Sequence, residues 1–185
     1  MKFKALSILL IFISLFFTAC EKKEKNDNKI VDETLKIVKN NKFTMSTIDK
    51  SQINFTIEDD KILLENSDNK IVLLSFFATW CPPCKAEIPG LVKLQETYKN
   101  DIIIVGLLLE DFKTDEDILE FSQSFDINYT ITNSSKTFDF AKALGGIKAI
   151  PTIYILDKEG NTFKKITGLA PAEMLDIDIK KLLER

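Results

Sequence analysis

Two cysteines, two residues apart, stand where an apolar strand gives way to a helix, and few folds can place them there. The stretch is Trp80-Cys81-Pro82-Pro83-Cys84-Lys85. Ahead of it runs Ile71-Val72-Leu73-Leu74-Ser75-Phe76-Phe77, a short apolar run of the kind a buried strand shows. Behind it, Ala86 to Tyr98 carries Ile88, Leu91, Val92 and Leu94 at a spacing that suits a helix. A helix start presents unpaired N–H groups and the positive end of the macrodipole, and both favour a thiolate over a thiol. Cys81 is therefore the candidate nucleophile, and Cys84 the partner that resolves what Cys81 captures.

Two duller uses of the pair have to be set beside this one. A CxxC is often half of a zinc site, but structural zinc takes four ligands. The chain has no histidine, and its third and last cysteine is Cys20, so Cys and His within one chain cannot complete such a site. No metal is expected. A purely structural disulfide is the other use, and the strand-to-helix position favours redox chemistry over it. The missing histidine also removes Ser-His-Asp and Cys-His hydrolase chemistry, which leaves thiols and carboxylates as the reactive groups. With a net charge of −3 and no basic block, nucleic acid is not an expected partner. With 185 residues and 45% hydrophobic content, the chain can bury one good core.

The first residues read as a secretory signal. Met1-Lys2-Phe3-Lys4 is basic, Ala5 to Phe17 is almost wholly apolar, and Thr18-Ala19-Cys20 follows. The apolar centre is short of the about 20 residues a comfortable membrane-spanning helix needs. An ordinary secreted product fits this layout. A cysteine directly after the small residue also resembles a bacterial lipobox, in which Cys20 is lipidated and becomes the mature N-terminus, although Phe17 replaces the Leu usual three residues before it. Lipidation would leave Cys81 and Cys84 as the only free pair, and several acyl chains on one residue would anchor stably. The expected organisation is a signal peptide over 1–19, the lipidated cysteine with a flexible tether over 20–42, and a folded domain over 43–185. Glu21 to Asn28 has no apolar residue and fits a solvated tether.

In the folded part, Phe43 to Ile48 and Ile53 to Ile57 alternate around Asp49-Lys50-Ser51-Gln52 and predict a β-hairpin. Lys61 to Leu64 fits a short strand or a turn of helix. Pro89 should kink the helix after the CxxC. Ile102 to Leu109 is apolar on both faces, as in a central parallel strand. Asp115 to Phe125 predicts a helix capped by Thr114 or Asp115, with Ile118, Leu119, Phe121 and Phe125 on its apolar side. Then come a strand at Tyr129–Thr132, a helix over Ser135–Leu144 stopped by Gly145-Gly146, strands at Thr152–Leu156 and Thr162–Thr167, and a helix over Pro171–Leu183. This order predicts an α/β fold: a central mixed β-sheet flanked by helices, with an extra N-terminal β-hairpin.

That order, and two separated motifs, resemble the thioredoxin fold. Phe77-Ala78-Thr79-Trp80-Cys81-Pro82-Pro83-Cys84-Lys85-Ala86-Glu87-Ile88-Pro89 is similar to the membrane-tethered thiol–disulfide reductases of the TlpA/ResA/CcmG type, and Ala149-Ile150-Pro151-Thr152 resembles their cis-proline loop. The likeness covers roughly Phe43 to Arg185. It implies that Pro151 is cis beside the disulfide, against the alternative of a trans proline starting a strand, and that the backbone of Ile150 is free to pair with an extended substrate. It implies that Trp80 covers the active-site surface, whereas a core tryptophan is the alternative. Cytosolic thioredoxins carry a buried aspartate six residues before the first cysteine, and Ser75 stands there in this chain. Glu110, at the end of the long central strand, resembles the acidic residue of ResA-like members, since a carboxyl in an apolar pocket can pass protons near neutral pH. Glu110 is thus the expected proton shuttle for Cys84, with a solvated strand-end carboxylate as the alternative. Lys85 and Glu87 read as surface residues.

The chemistry implied is an extracytoplasmic, membrane-anchored reductase on the periplasmic side, with the Cys81–Cys84 dithiol as its redox group and no further cofactor. Pro82 and Pro83 withhold two N–H groups from the Cys81 sulfur, which predicts a modestly stabilised thiolate and a reducing couple. Its partners would be proteins bearing disulfides, an inner-membrane thiol donor, and, as client, the CxxC haem site of apocytochrome c. A general exchange protein with other clients and a non-catalytic binding lipoprotein remain as alternatives; a copper-handling protein would call for CxxxC and a histidine. Sulfurs open to solvent and beside Pro151 are expected, and the reading collapses if the two are both sealed from solvent and distant from Pro151.

Overall fold

The computed structural model describes residues 42–185. The expected signal peptide over 1–19, Cys20 and all of the expected tether except Lys42 lie outside the described residues. A five-stranded sheet is built from β4 (Ile71–Phe77), β5 (Ile102–Leu108), β6 (Thr130–Thr132), β7 (Thr152–Leu156) and β8 (Thr162–Thr167), in the order β6-β5-β4-β7-β8. β4 runs parallel to β5 and β5 to β6, while β4–β7 and β7–β8 are antiparallel. The sheet is mixed, as the sequence predicts. Helices α1 (Pro82–Thr97), α2 (Asp115–Ser124), α3 (Lys136–Ala143) and α4 (Ala172–Leu183) connect and cover it.

Every residue of β4 is buried, because both faces of this central strand are covered. Its side chains alternate between two cores. Ile71 and Leu73 pack with Leu91 and Leu94 of α1 and with Leu175, Ile179 and Leu182 of α4. Val72, Leu74 and Phe76 face the other way, toward Phe43, Met45, Phe55 and Phe140. Phe140 of α3 stacks on Phe55 at 4.9 Å and meets the edge of Phe43 at 5.2 Å. It is fully buried. Phe140→Ala is expected to cost about 3–5 kcal/mol of stability in chemical denaturation, by lost transfer energy plus the cavity left among these rings.

The expected hairpin is two strands of a three-stranded antiparallel sheet, β1 (Lys42–Ser46), β2 (Gln52–Glu58) and β3 (Lys61–Leu64), which resolves Lys61–Leu64 as a strand. Backbone bonds fix this sheet to the larger one. Ile62 N–H donates to Gly160 O at 2.8 Å, Ile48 N–H to Ile131 O, and Asn133 N–H to Ser46 O. Gly160 has φ +82, and a Cβ there would stand 2.7 Å from Ile62 O, so only glycine fits the junction.

Pro89 lies inside α1, which continues through it to Thr97. Two local expectations need correction. Leu119 is not on the apolar side of α2: it is 46% exposed, and the buried positions are Ile118 and Ser122. The helix over 115–124 does start where expected, at a capping box in which Thr114 accepts from Asp117 N–H while the Asp117 carboxylate accepts from Thr114 N–H. Glu87 is not a surface residue, and its surroundings belong to the active site.

Candidate active site

β4 ends at Phe77, and Ala78–Trp80 carry the chain to Cys81, which is the N-cap of α1. Pro82 takes the first helical turn, where its missing N–H leaves nothing unpaired. Cys81 and Cys84 are joined in a disulfide, with Cα atoms 5.3 Å apart. Cys84 N–H donates to Cys81 Sγ at 3.2 Å, so one helix-start N–H does reach the sulfur although the two prolines supply none.

Both cysteines are only 2% exposed. They pack with Phe77, Ala78, Leu108, Ile118 and Ile131, and Ile150 lies against the same cluster. The expectation of sulfurs open to solvent thus fails in this oxidised pair, while that of sulfurs beside the Pro151 loop holds. The Ile150–Pro151 bond is cis. Gly168 N–H donates to Pro151 O at 2.8 Å, and Thr152 Oγ1 donates to Ala149 O, which fixes the loop on both sides. Among the described residues, the backbone of Ile150 has no hydrogen-bond partner. Trp80 is 64% exposed and stands on the surface rather than in the core.

Glu110 follows β5, beside the loop that leads to Cys81. Its Oε2 accepts from Thr79 N–H at 2.9 Å and from Thr79 Oγ1 at 2.7 Å, and Lys113 Nζ lies 3.8 Å from Oε1. The carboxylate is neither freely solvated nor alone in an apolar pocket: it ties the β5–α2 loop to the CxxC loop.

The acid that sequence reasoning missed is Glu87, which is 4% exposed. It follows Cys84 by three residues, one helical turn on, and belongs to the buried face formed by Cys84, Glu87, Ile88, Leu91 and Leu94. Its Oε1 accepts from Ala170 N–H at 2.8 Å. Burial pushes the Glu87 carboxyl up to about 7, and the Ala170 hydrogen bond works weakly against that rise. Burial, and secondarily the Glu87 charge, holds the Tyr129 phenol protonated well above its ordinary range. The signal was present in the sequence: Glu87 occupies a position in the helical stripe that is otherwise apolar. Ser75, where cytosolic thioredoxins have their aspartate, alternates onto the same face of β4 as Leu73 and Phe77. The buried carboxyl of this site comes from the helix instead of the strand.

A mixed sheet with a disulfide at the start of the helix after its central strand, beside a cis-proline loop, defines a thioredoxin-like thiol–disulfide oxidoreductase. The chain belongs to the AhpC/TSA family, which matches residues 47–163. It is 30% identical over 138 residues to the thiol-disulfide oxidoreductase ResA of Bacillus thuringiensis subsp. konkukian, covering 73% of this chain and 78% of that one. It is 32% identical over 106 residues to the thioredoxin-like protein YneN of Bacillus subtilis, covering 57% of this chain and 61% of the relative. Among solved structures, StoA from Bacillus subtilis superposes with a TM-score of 0.56 at 25% identity, over 74% of this chain and 94% of that one.

Proposed function

We propose that this oxidoreductase works as an extracytoplasmic reductase of protein disulfides, with Cys81 as nucleophile, Cys84 as resolving thiol and the dithiol as its only redox group. The observation that carries the reading is the Cys81–Cys84 pair at the N-terminus of α1, packed against Ile150 of the cis-proline loop. The reduced enzyme attacks a client disulfide through the Cys81 thiolate. A Cys81–client disulfide forms and one client thiolate leaves. The Cys84 thiol gives up its proton, its thiolate attacks Cys81 Sγ, and the second client thiolate departs; two electrons pass to the client, whose thiolates take their protons from the surrounding water. Because so little of Cys81 is exposed, the client sulfur has to displace part of the cover as it approaches.

The backbone of Ile150 supplies an unpaired N–H and C=O to an extended client segment, and Trp80, directly before Cys81, offers it an exposed apolar surface. Glu87 takes the Cys84 proton: it is buried, one turn along the same helix, and titrates at about 7, where a general base works best near neutral pH. Glu110, the shuttle expected from the sequence, is the second candidate for this proton. Its bonds to Thr79 favour a positioning role, and comparing the pH profiles of Glu87→Gln and Glu110→Gln separates the two.

The N-terminal sequence supports secretion, lipidation at Cys20 and a tether over 20–42 that holds the domain at the periplasmic face of a membrane, supplied with electrons by an inner-membrane thiol donor. The client in view is the CxxC haem site of apocytochrome c, kept reduced for haem attachment; a general exchange protein would act on other clients. The direction of electron flow is tested by the Cys81–Cys84 reduction potential, obtained by equilibration with thiol buffers. A value well below about −120 mV is expected, and a value near it would make the protein an oxidant.

A further inference from the structure

Phe112 is fully exposed, at 102%, and its backbone lies in the left-handed region at φ +64. A bulky aromatic residue is rare there, and solvent offers an aromatic ring nothing in return. The loop that carries it is anchored on both sides. Before it, Leu109 N–H donates to Phe77 O, and Glu110 grips Thr79 through its N–H and hydroxyl. After it, Asn133 Nδ2 donates to Lys113 O and Asp115 Oδ1, and Thr114 caps α2. The two residues between these anchors, Asp111 and Phe112, form a tip that presents the ring outward from a fixed base.

The base of that tip is bonded to the segment that carries the nucleophile. Phe112 is two residues from Glu110, and Cys81 is two residues from Thr79, each a span of at most about 7 Å. A client chain extended from the attacked sulfur, at about 3.3 Å per residue, therefore reaches Phe112 within about six residues. Two other exposed apolar side chains stand on loops bonded to the same site. Trp80 directly precedes Cys81, and Leu169, 51% exposed, lies between Gly168, which bonds Pro151, and Ala170, which bonds Glu87. Asp111 directly precedes Phe112 and Glu116 follows it in the first turn of α2; both are exposed and neither makes an ion pair among the described residues, while Lys113 between them is paired with Glu110.

Resting on the reductase reading above, we propose that Phe112 is a specificity-determining residue that docks an apolar side chain of the client, next to a Lys or Arg, within a few residues of the client's disulfide. The covalent Cys81–client intermediate obliges a client chain to lie over this rim. The ring supplies apolar contact, and the flanking carboxylates favour a basic neighbour.

The test uses the full-length chain, reduced beforehand, with two kinds of probe. Glutathione disulfide has one residue on either side of each cysteine and carries no apolar side chain for Phe112 to hold. Synthetic peptides with one internal disulfide carry Leu-Lys two to seven residues from a cysteine, on either side, and are paired with Ser-Ser controls. The wild type is expected to prefer at least one Leu-Lys spacing. Phe112→Ser should then lose about tenfold in kcat/KM on that peptide, through KM, with glutathione disulfide unaffected and Phe112→Leu restoring most of the loss. Equal rates on all peptides, no loss in Phe112→Ser, or a parallel loss on glutathione disulfide would overturn the proposal. A wild-type chain that reduces neither kind of probe would overturn the reductase reading itself.

Discussion

Cys81→Ser is expected to bring reduction of a protein disulfide such as that of insulin down to the uncatalysed rate, while Cys84→Ser stops one step later. The two sulfurs have different work. Cys81 is the N-cap, and its sulfur receives the Cys84 N–H, so the nucleophile's charge is met by a donor of the helix start. Without Cys81 no bond to the client forms. Without Cys84 that bond forms and has nothing to displace it, so a Cys81–client disulfide should accumulate and appear on a non-reducing gel as a single heavier species. The proteins trapped in this way report the clients directly. Unchanged activity in Cys81→Ser would leave the pair as a structural staple, and the domain would then be a binding module.

Glu87→Gln should stabilise the domain above neutral pH while slowing its chemistry. The folded protein holds the Glu87 proton up to about 7, against 4.5 for the ordinary carboxyl. Between those values the folded state binds more protons than the unfolded one, so stability falls as pH rises through this window. The destabilisation is absent below 4.5 and fully developed above about 7, where it amounts to about 3 kcal/mol. Glutamine does not titrate, and its side-chain oxygen can still accept from Ala170 N–H. Denaturation of Glu87→Gln should therefore match the wild type at pH 4 and exceed it by up to about 3 kcal/mol at pH 8, with a flat profile between. Loss of the base should slow resolution by Cys84 about a hundredfold near pH 7. A mutant no more stable than the wild type at pH 8 would mean that Glu87 titrates as an ordinary exposed carboxyl.

Local signals sufficed for much of the architecture. Strand β4, the helix start at the CxxC and the cap at Thr114 are each determined by residues within a few positions, and each stands where the sequence places it. Long-range packing decided what was misread. Lys61–Leu64 is too short to choose between strand and helix until β2 pairs with it. Leu119 looks like a core residue on its own helix, but the fold leaves its side largely open to solvent. Glu87 carries a charge that argues for the surface, and only the approach of Ala170 from the far end of the chain shows where its carboxyl goes. The near closure of Cys81 has the same origin, because the cluster it belongs to draws in Ile118, Ile131 and Ile150 from three distant segments.

The way β1 and β6 meet has a bearing on solubility at high local concentration. Ile48, Ser46 and Asn133 use backbone groups on the outer side of β6, so that margin of the five-stranded sheet is already occupied. The opposite margin is β8, whose middle residues are Lys164 and Lys165, and strands that carry such charges resist joining a neighbour's sheet. At high local concentration the five-stranded sheet is thereby protected at both margins against edge-to-edge polymerisation.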